Sequence, residues 1–84
     1  MIQIVVGQRG WTWVGRVSRS GDEVVIRGAR CVRRWGTPGK GLGFLASDGP
    51  QPETKLDDPA TVRIHPLAIV ATYDCDEAKW EGKL

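Results

Sequence analysis

The sequence predicts a mainly β fold: a small, bent antiparallel sheet or barrel of about five strands with one or two short helical turns. Eleven Gly and five Pro divide the chain into short segments and leave almost no long helix-forming run. Several of these segments are continuous apolar runs, or alternate apolar with polar residues as strands do. The length of 84 residues suits only one hydrophobic core, so we expect residues 1–84 to form a single barrel-like domain.

The N-terminal segment predicts two strands in succession. Residues 2–6 are apolar enough to be buried on both faces of a sheet, and Gly7 begins the turn that follows them. In residues 11–18 the odd positions, which include Trp11 and Trp13, carry no polar side chain other than the indole N–H, whereas three of the four even positions are Thr, Arg or Ser. This period of two predicts a strand with one buried face, on which both Trp side chains lie in the core or in a subunit contact.

A hairpin and a bent strand come next. Residues 19–22 contain the Ser-Gly-Asp sequence of a tight turn, so the second strand should pair antiparallel with a third strand that begins at residues 23–27. The third strand can continue to Trp35, but Gly28 interrupts its alternation and is a candidate bulge or sharp bend. Such a bend would curl the sheet.

The rest of the chain predicts loops, two further strands and two helical turns. In order, we expect a Gly-rich loop at 36–41, a helical turn at 42–47 that Gly49 ends, an acidic surface loop at 51–59, strands at 62–64 and 67–73 that are joined or kinked at His65-Pro66, and a helical turn at 74–80.

The two halves of the chain are oppositely charged. Residues 1–45 hold eight Lys and Arg against two Asp and Glu, a net charge of +6. Residues 46–84 hold four basic against eight acidic residues, a net charge of −4. This asymmetry favours either an anion-binding face backed by an acidic one, or charge pairing between the halves that leaves no binding face.

The densest candidate feature is the stretch from Arg27 to Trp35. On a regular strand Arg30 and Arg34 share one face, while Arg27 and Arg33 share the other unless a bulge changes the phase. Guanidinium groups match phosphate or carboxylate oxygens, and a neighbouring Trp ring can stack on a base or a sugar. The alternative is a solvated strand whose Arg side chains pair with the acidic half of the chain.

The Gly-rich loop resembles a phosphate-binding loop only in part. Lys40 is followed by Gly41, so the loop lacks the GxxxxGK[ST] pattern, and Pro38 removes one backbone donor. A P-loop is therefore excluded. The loop is either a plain connection or a segment whose free N–H groups and Lys40 meet an anion.

Other chemistry finds little support in the sequence. His65 is the only histidine, and Cys31 and Cys75 lie far apart without a CxxC pair, so we expect no metal, no cofactor and no enzyme activity. No apolar run is long enough to span a bilayer, and residues 1–6 lack the basic region and cleavage motif of a signal peptide. We therefore expect a cytoplasmic protein with free thiols and no membrane partner.

A scattered set of residues carries a resemblance to a family. In chain order these are Gly15-Arg16, Ala29-Arg30, Trp35-Gly36, Leu42, Leu45-Ala46, Gly49 and Lys55. Over most of its length the chain thereby resembles a family of short uncharacterised proteins encoded by tailed bacteriophages and prophages. Where those proteins often carry an aromatic residue two positions before the Trp, this chain has Arg33.

The resemblance implies a function class and points to two basic residues. Small phage accessory proteins bind host factors, nucleic acid or small molecules, and one kind sequesters cyclic nucleotide signals between subunits. Arg30 and Lys55 are the basic residues that this chain shares with the resembling proteins. If the chain is phage-encoded, its compartment is the host cytoplasm.

Two function hypotheses follow. The first is a phage-type anti-defence protein that captures an anionic, nucleotide-like small molecule in a basic, Trp-containing pocket between subunits of a homo-oligomer. The alternative is a small-barrel adaptor that binds a host protein or, less favoured, nucleic acid through its arginine-rich face. We expect the subunit contact to include Trp11, Trp13 or Trp80. The expected ligand-binding residues are Arg30, Arg33, Arg34, Trp35, Lys40 and Lys55.

Overall fold

The structure, a computed structural model, describes residues 1–84 and consists mainly of one antiparallel sheet. The strands are β1 (Ile2–Gly7), β2 (Thr12–Ser20), β3 (Glu23–Arg34), β4 (Lys55–Leu56), β5 (Ala60–Ile64) and β6 (Ile69–Asp74). The helices are α1 (Leu42–Asp48) and α2 (Glu77–Trp80), and 3-10 turns occupy Gln8–Gly10, Pro66–Ala68 and Glu81–Lys83. The strand order is β4-β3-β2-β1-β6, with β5 also paired to β3. The predicted fold class is confirmed, with six strands and a sheet that does not close into a barrel.

The central hairpin forms as its turn sequence predicts. Strands β2 and β3 pair antiparallel, and their last partners are Ser20 and Glu23. The two residues between them form the turn, and Gly21 has a φ of 59°, as the first residue of a tight hairpin turn requires. From this turn the register is continuous back to the pair Arg16 and Arg27.

Strand β3 bends at the predicted position. Gly28 has a φ of 64°, in the left-handed region that only Gly adopts at no steric cost. The register shifts there against both neighbours, between Val14 and Arg16 in β2 and between Ile26 and Ala29 in the pairing with β5. The bend sends the two ends of β3 to different partners, its first part to β5 and its last part to β4.

The larger core lies between one face of the sheet and the two helices. Its buried members are Ile2, Ile4, Val14, Val32, Leu42, Leu45, Ala46, Cys75 and Trp80. The indole N–H of Trp80 reaches the backbone oxygens of Leu45 (3.2 Å) and Ala46 (3.0 Å). Trp80 therefore fastens α2 to α1, and because its side chain is fully buried it cannot take part in the subunit contact that we expected of it.

A smaller core lies on the opposite face. Val5, Ile26 and Ala29 are buried there, with Trp13 and Ile64 among the half-buried side chains packed on them. Val5 and its neighbour Ile4 point to opposite faces and are both fully buried. Burial of the first strand on both faces, as predicted, is thus confirmed.

Three local predictions are wrong. Thr12 and Val14 are buried on the face of β2 that we expected to be solvated, where Val14 packs against the helices, and Trp11, which precedes β2, is 52% exposed. The acidic segment at 51–59, which we expected to be a loop, contains β4, and β4 pairs antiparallel with the end of β3 that follows the bend. Leu67 belongs to a 3-10 turn, so the last strand begins later than predicted.

No helix of the structure is long and apolar enough to cross a membrane.

Candidate anion site

An open depression of about 580 Å³ lies where the bent end of β3, the segment before β4 and the C-terminal turn meet. Its lining contains three cationic side chains and no acidic one. The lining residues are Arg30, Pro50, Gln51, Pro52, Thr54, Lys55, Leu56 and Lys83. A surface of this composition attracts anions.

Arg30 is held in place by two backbone oxygens. It follows the bend in β3 and pairs in register with Val14. Its Nε donates to the carbonyl of Asp57 at 2.7 Å, and its Nη1 donates to the carbonyl of Lys83 at 2.8 Å. A guanidinium has five N–H groups, so three remain without a partner in the protein. Arg30 thus joins two distant segments and keeps donors for a ligand.

The wall that carries Lys55 is fixed to the end of β3. Lys55 pairs in register with Arg34. The hydroxyl of Thr54 donates to the carbonyl of Trp35 at 2.6 Å and accepts from the N–H of Gln51 at 2.9 Å. A Cβ on Gly36, whose φ is 69°, would lie 2.3 Å from the backbone N of Thr54. Only Gly fits this approach, so Gly36 sets how close the wall lies to β3.

Two nearby carboxylates are paired away from the depression. Arg33 Nε lies 2.9 Å from Asp57 Oδ2, and Arg34 Nη2 lies 3.7 Å from Glu53 Oε1. The hydrogen bond that Arg33 donates to Asp57, and after it the negative charge of that carboxylate, raises the pKa of Arg33. Neither carboxylate lies within 4.0 Å of a cation that lines the depression. The positive charge of the lining is therefore not neutralised by direct ion pairs.

The structure brings together two of the six predicted ligand-binding residues, Arg30 and Lys55. Arg33 and Arg34 are committed to the ion pairs with acidic residues, which was the alternative interpretation of the arginine stretch. Lys40 lies over the ring of Phe44, 4.9 Å from its centroid, and does not line the depression. The ring of Trp35 is half exposed and likewise lies outside the lining.

The depression is also lined by Lys83, Gln51 and Thr54, which the sequence did not predict as site residues. Lys83 follows the buried Trp80, and burial of that indole brings the last turn back to β3. No local pattern marks this long-range contact. The hydrogen bond from the Gln51 N–H to the Thr54 hydroxyl closes a turn. This turn could have been predicted from the sequence, because Thr hydroxyls accept backbone N–H groups in such loops.

The histidine and the two cysteines have structural roles or are at least partly buried, rather than forming a reactive site. His65 Nδ1 accepts the N–H of Leu67 at 3.1 Å and so caps the 3-10 turn that follows it. Burial raises the pKa of Cys75 to about 12 and also raises the pKa of Cys31. Both thiols are therefore protonated at neutral pH, which is the unreactive form.

A scan against protein-family models and searches of curated proteins and of solved structures found no match to this chain.

Proposed function

We propose that this protein binds a compact phosphorylated small molecule in the depression, through Arg30, Lys55 and Lys83. The observation that carries the proposal is the charge of the lining: three cations on three separate segments, with the neighbouring carboxylates of Asp57 and Glu53 paired to other arginines. A phosphate group carries nearly two negative charges at neutral pH and three acceptor oxygens. Three convergent cations suit it better than they suit a single carboxylate.

The shape of the site supports a small ligand. The volume of about 580 Å³ lies within the range of about 300 to 1,000 Å³ that small-molecule sites occupy. Pro50, Pro52 and Leu56 supply an apolar wall against which a sugar or base could lie. A nucleotide combines these features, so we take it as the ligand class.

The lining also supports binding rather than acid–base catalysis. None of the lining residues is Asp, Glu, His or Cys, the side chains that most often transfer protons in active sites. Lysine and arginine donate hydrogen bonds to phosphate oxygens and hold charge. The phage anti-defence role and the subunit contact expected from the sequence remain proposals.

Calorimetric titration with pyrophosphate and with adenosine triphosphate tests the proposal. We expect binding by the unmodified protein and at least about tenfold weaker binding by Lys55→Gln and by Lys83→Gln, because each loses a charge-assisted hydrogen bond. Lys40→Gln is the matched control, since its ammonium lies over Phe44 and outside the lining. No binding by the unmodified protein, or an equal loss in Lys40→Gln, would contradict the proposal.

A further inference from the structure

Three exposed arginines lie beside the hairpin, on the side of the sheet that the helices cover further along, since Arg16 is also the register partner of the buried Ile2. Arg16 on β2 is the register partner of Arg27 on β3, and Arg63 on β5 is the partner of Val25. Register partners in an antiparallel pair point to the same side, as do residues two positions apart in a strand. Arg16, Arg27 and Arg63 therefore share one face, which we call the arginine face.

The charge of the arginine face is largely uncompensated. Arg63 Nε lies 3.5 Å from Glu23 Oε1. Arg27 Nη1 contacts only the hydroxyl of Ser18, at 3.4 Å. Neither Arg16 nor Arg27 has a carboxylate within 4.0 Å, because the three ion pairs of the structure involve other arginines. Three cations against one glutamate leave this face positive.

The pairing of Arg16 with Arg27 lowers the stability of the fold. Cβ atoms of directly opposed residues lie about 4.5 to 5.5 Å apart, and like charges in such a pair are destabilising. Arg16 and Arg27 form such a pair and are both exposed. A bound anion that bridges the two guanidinium groups would remove the repulsion.

Apart from the buried Val25, the rest of the arginine face is polar. Ser18 and Ser20 alternate with Arg16 along β2, and Thr61 alternates with Arg63 along β5; all three hydroxyl residues are exposed. None of the exposed large apolar side chains belongs to these strand segments. Protein partners are anchored by buried aromatic and apolar side chains, and single-stranded nucleic acid by aromatic stacking. The arginine face offers neither.

We propose that the arginine face binds the phosphate backbone of duplex DNA without sequence preference. Arg16 and Arg27 lie side by side, and Arg63 lies diagonally from Arg27, about 7 to 8 Å away by the usual spacing of a sheet. Guanidinium groups and hydroxyls are among the side-chain donors that contact DNA phosphates. This site is separate from the nucleotide site and does not depend on it.

Fluorescence anisotropy with a short, labelled DNA duplex of mixed sequence tests the proposal between about 50 and 200 mM salt. Three neutralised phosphates predict a slope of log affinity against log salt of about −2.7. In the double variant Arg16→Gln, Arg27→Gln we expect affinity to fall at least about tenfold and the slope to approach about −1. Arg19→Gln is the matched control, because Arg19 is the partner of Val24 and points to the opposite face.

A second measurement separates binding from a structural role. Thermal melting of the double variant should occur at the same temperature as in the unmodified protein, or higher, because the opposed charges are gone. A lower melting temperature with unchanged DNA affinity would overturn the proposal, as would an equal effect of Arg19→Gln. Tighter binding of a single strand or of a polyglutamate peptide than of the duplex would also overturn it. Lys55→Gln should leave duplex binding unchanged, so failure of the nucleotide site is distinguishable.

Discussion

Replacement of Arg30 by Ala should lower both the stability of the fold and the affinity for a phosphorylated ligand. The side chain makes one partly buried hydrogen bond to Asp57 and one exposed hydrogen bond to Lys83. A bond of a charged donor contributes about 1.5 kcal/mol or more, and an exposed interaction contributes less, about 0.5 kcal/mol. The sum of about 2 kcal/mol corresponds to a melting temperature about 8 to 16 °C lower in a domain of this size.

The effect of Arg30→Ala on ligand affinity is measured separately from its effect on stability. Loss of the remaining guanidinium donors should weaken pyrophosphate binding by about 1.5 to 3 kcal/mol, or about 10- to 150-fold. Calorimetric titration well below the melting temperature measures this, and scanning calorimetry measures stability. Arg30→Lys restores the charge without the two-pronged geometry, so it should recover affinity more than stability.

Arg33→Ala serves as the control on the same strand. Its guanidinium is 60% exposed, and its ion pair with Asp57 should add little to stability, so its melting temperature should match that of the unmodified protein. An Arg30→Ala protein that melts at the unmodified temperature would refute the two backbone contacts. A destabilised Arg30→Ala protein with unchanged pyrophosphate affinity would refute the site.

Three further predictions concern the wall, the buried thiol and assembly. Gly36→Ala should cost at least about 2 kcal/mol in denaturant unfolding, more than Gly39→Ala, whose φ of 72° is similar but whose added Cβ would meet nothing; equal losses would contradict the close approach. The pKa of Cys75 rises from 9.0 to about 12 on folding, so its contribution to stability is complete below about pH 9 and is lost as the pH rises through 12. Cys75→Ala should lack that part of the decline, and an identical pH profile would argue against burial of the thiol. Light scattering should give a dimer or larger assembly that Trp11→Ala converts to monomer, since Trp11 is 52% exposed and stacks on Trp13 with centroids 6.2 Å apart; a monomer at tens of micromolar would exclude this contact.

Features that depend on local backbone chemistry could be predicted from the sequence. The hairpin at Gly21, the bend at Gly28 and the end of α1 at Gly49 each follow from a Gly with positive φ at a break in the apolar pattern. The helical segment after Asp76 follows from a side chain that accepts the N–H groups of Ala78 and Lys79. These signals involve residues close together in the chain.

Features that depend on distant contacts could not. The burial of Val14 depends on the helices, which cover its face of β2. The ion pair of Arg33 with Asp57 requires β4, a strand of two residues in a segment with no strand pattern. For the candidate site, the sequence pointed to Arg30 and Lys55, which line the depression, and also to Arg33, Arg34, Trp35 and Lys40, which do not. The sequence could not show which cations the acidic half neutralises.

An NMR titration of the ¹⁵N-labelled protein with pyrophosphate shows whether Arg30, Lys55 and Lys83 form one anion site. We predict saturable shifts of the backbone amides of Gln51, Thr54, Lys55 and Lys83, which line the depression together with Arg30. Shifts confined to the loop around Lys40, or to the arginine face at Arg16 and Arg27, would contradict it. So would a titration in which no amide moves.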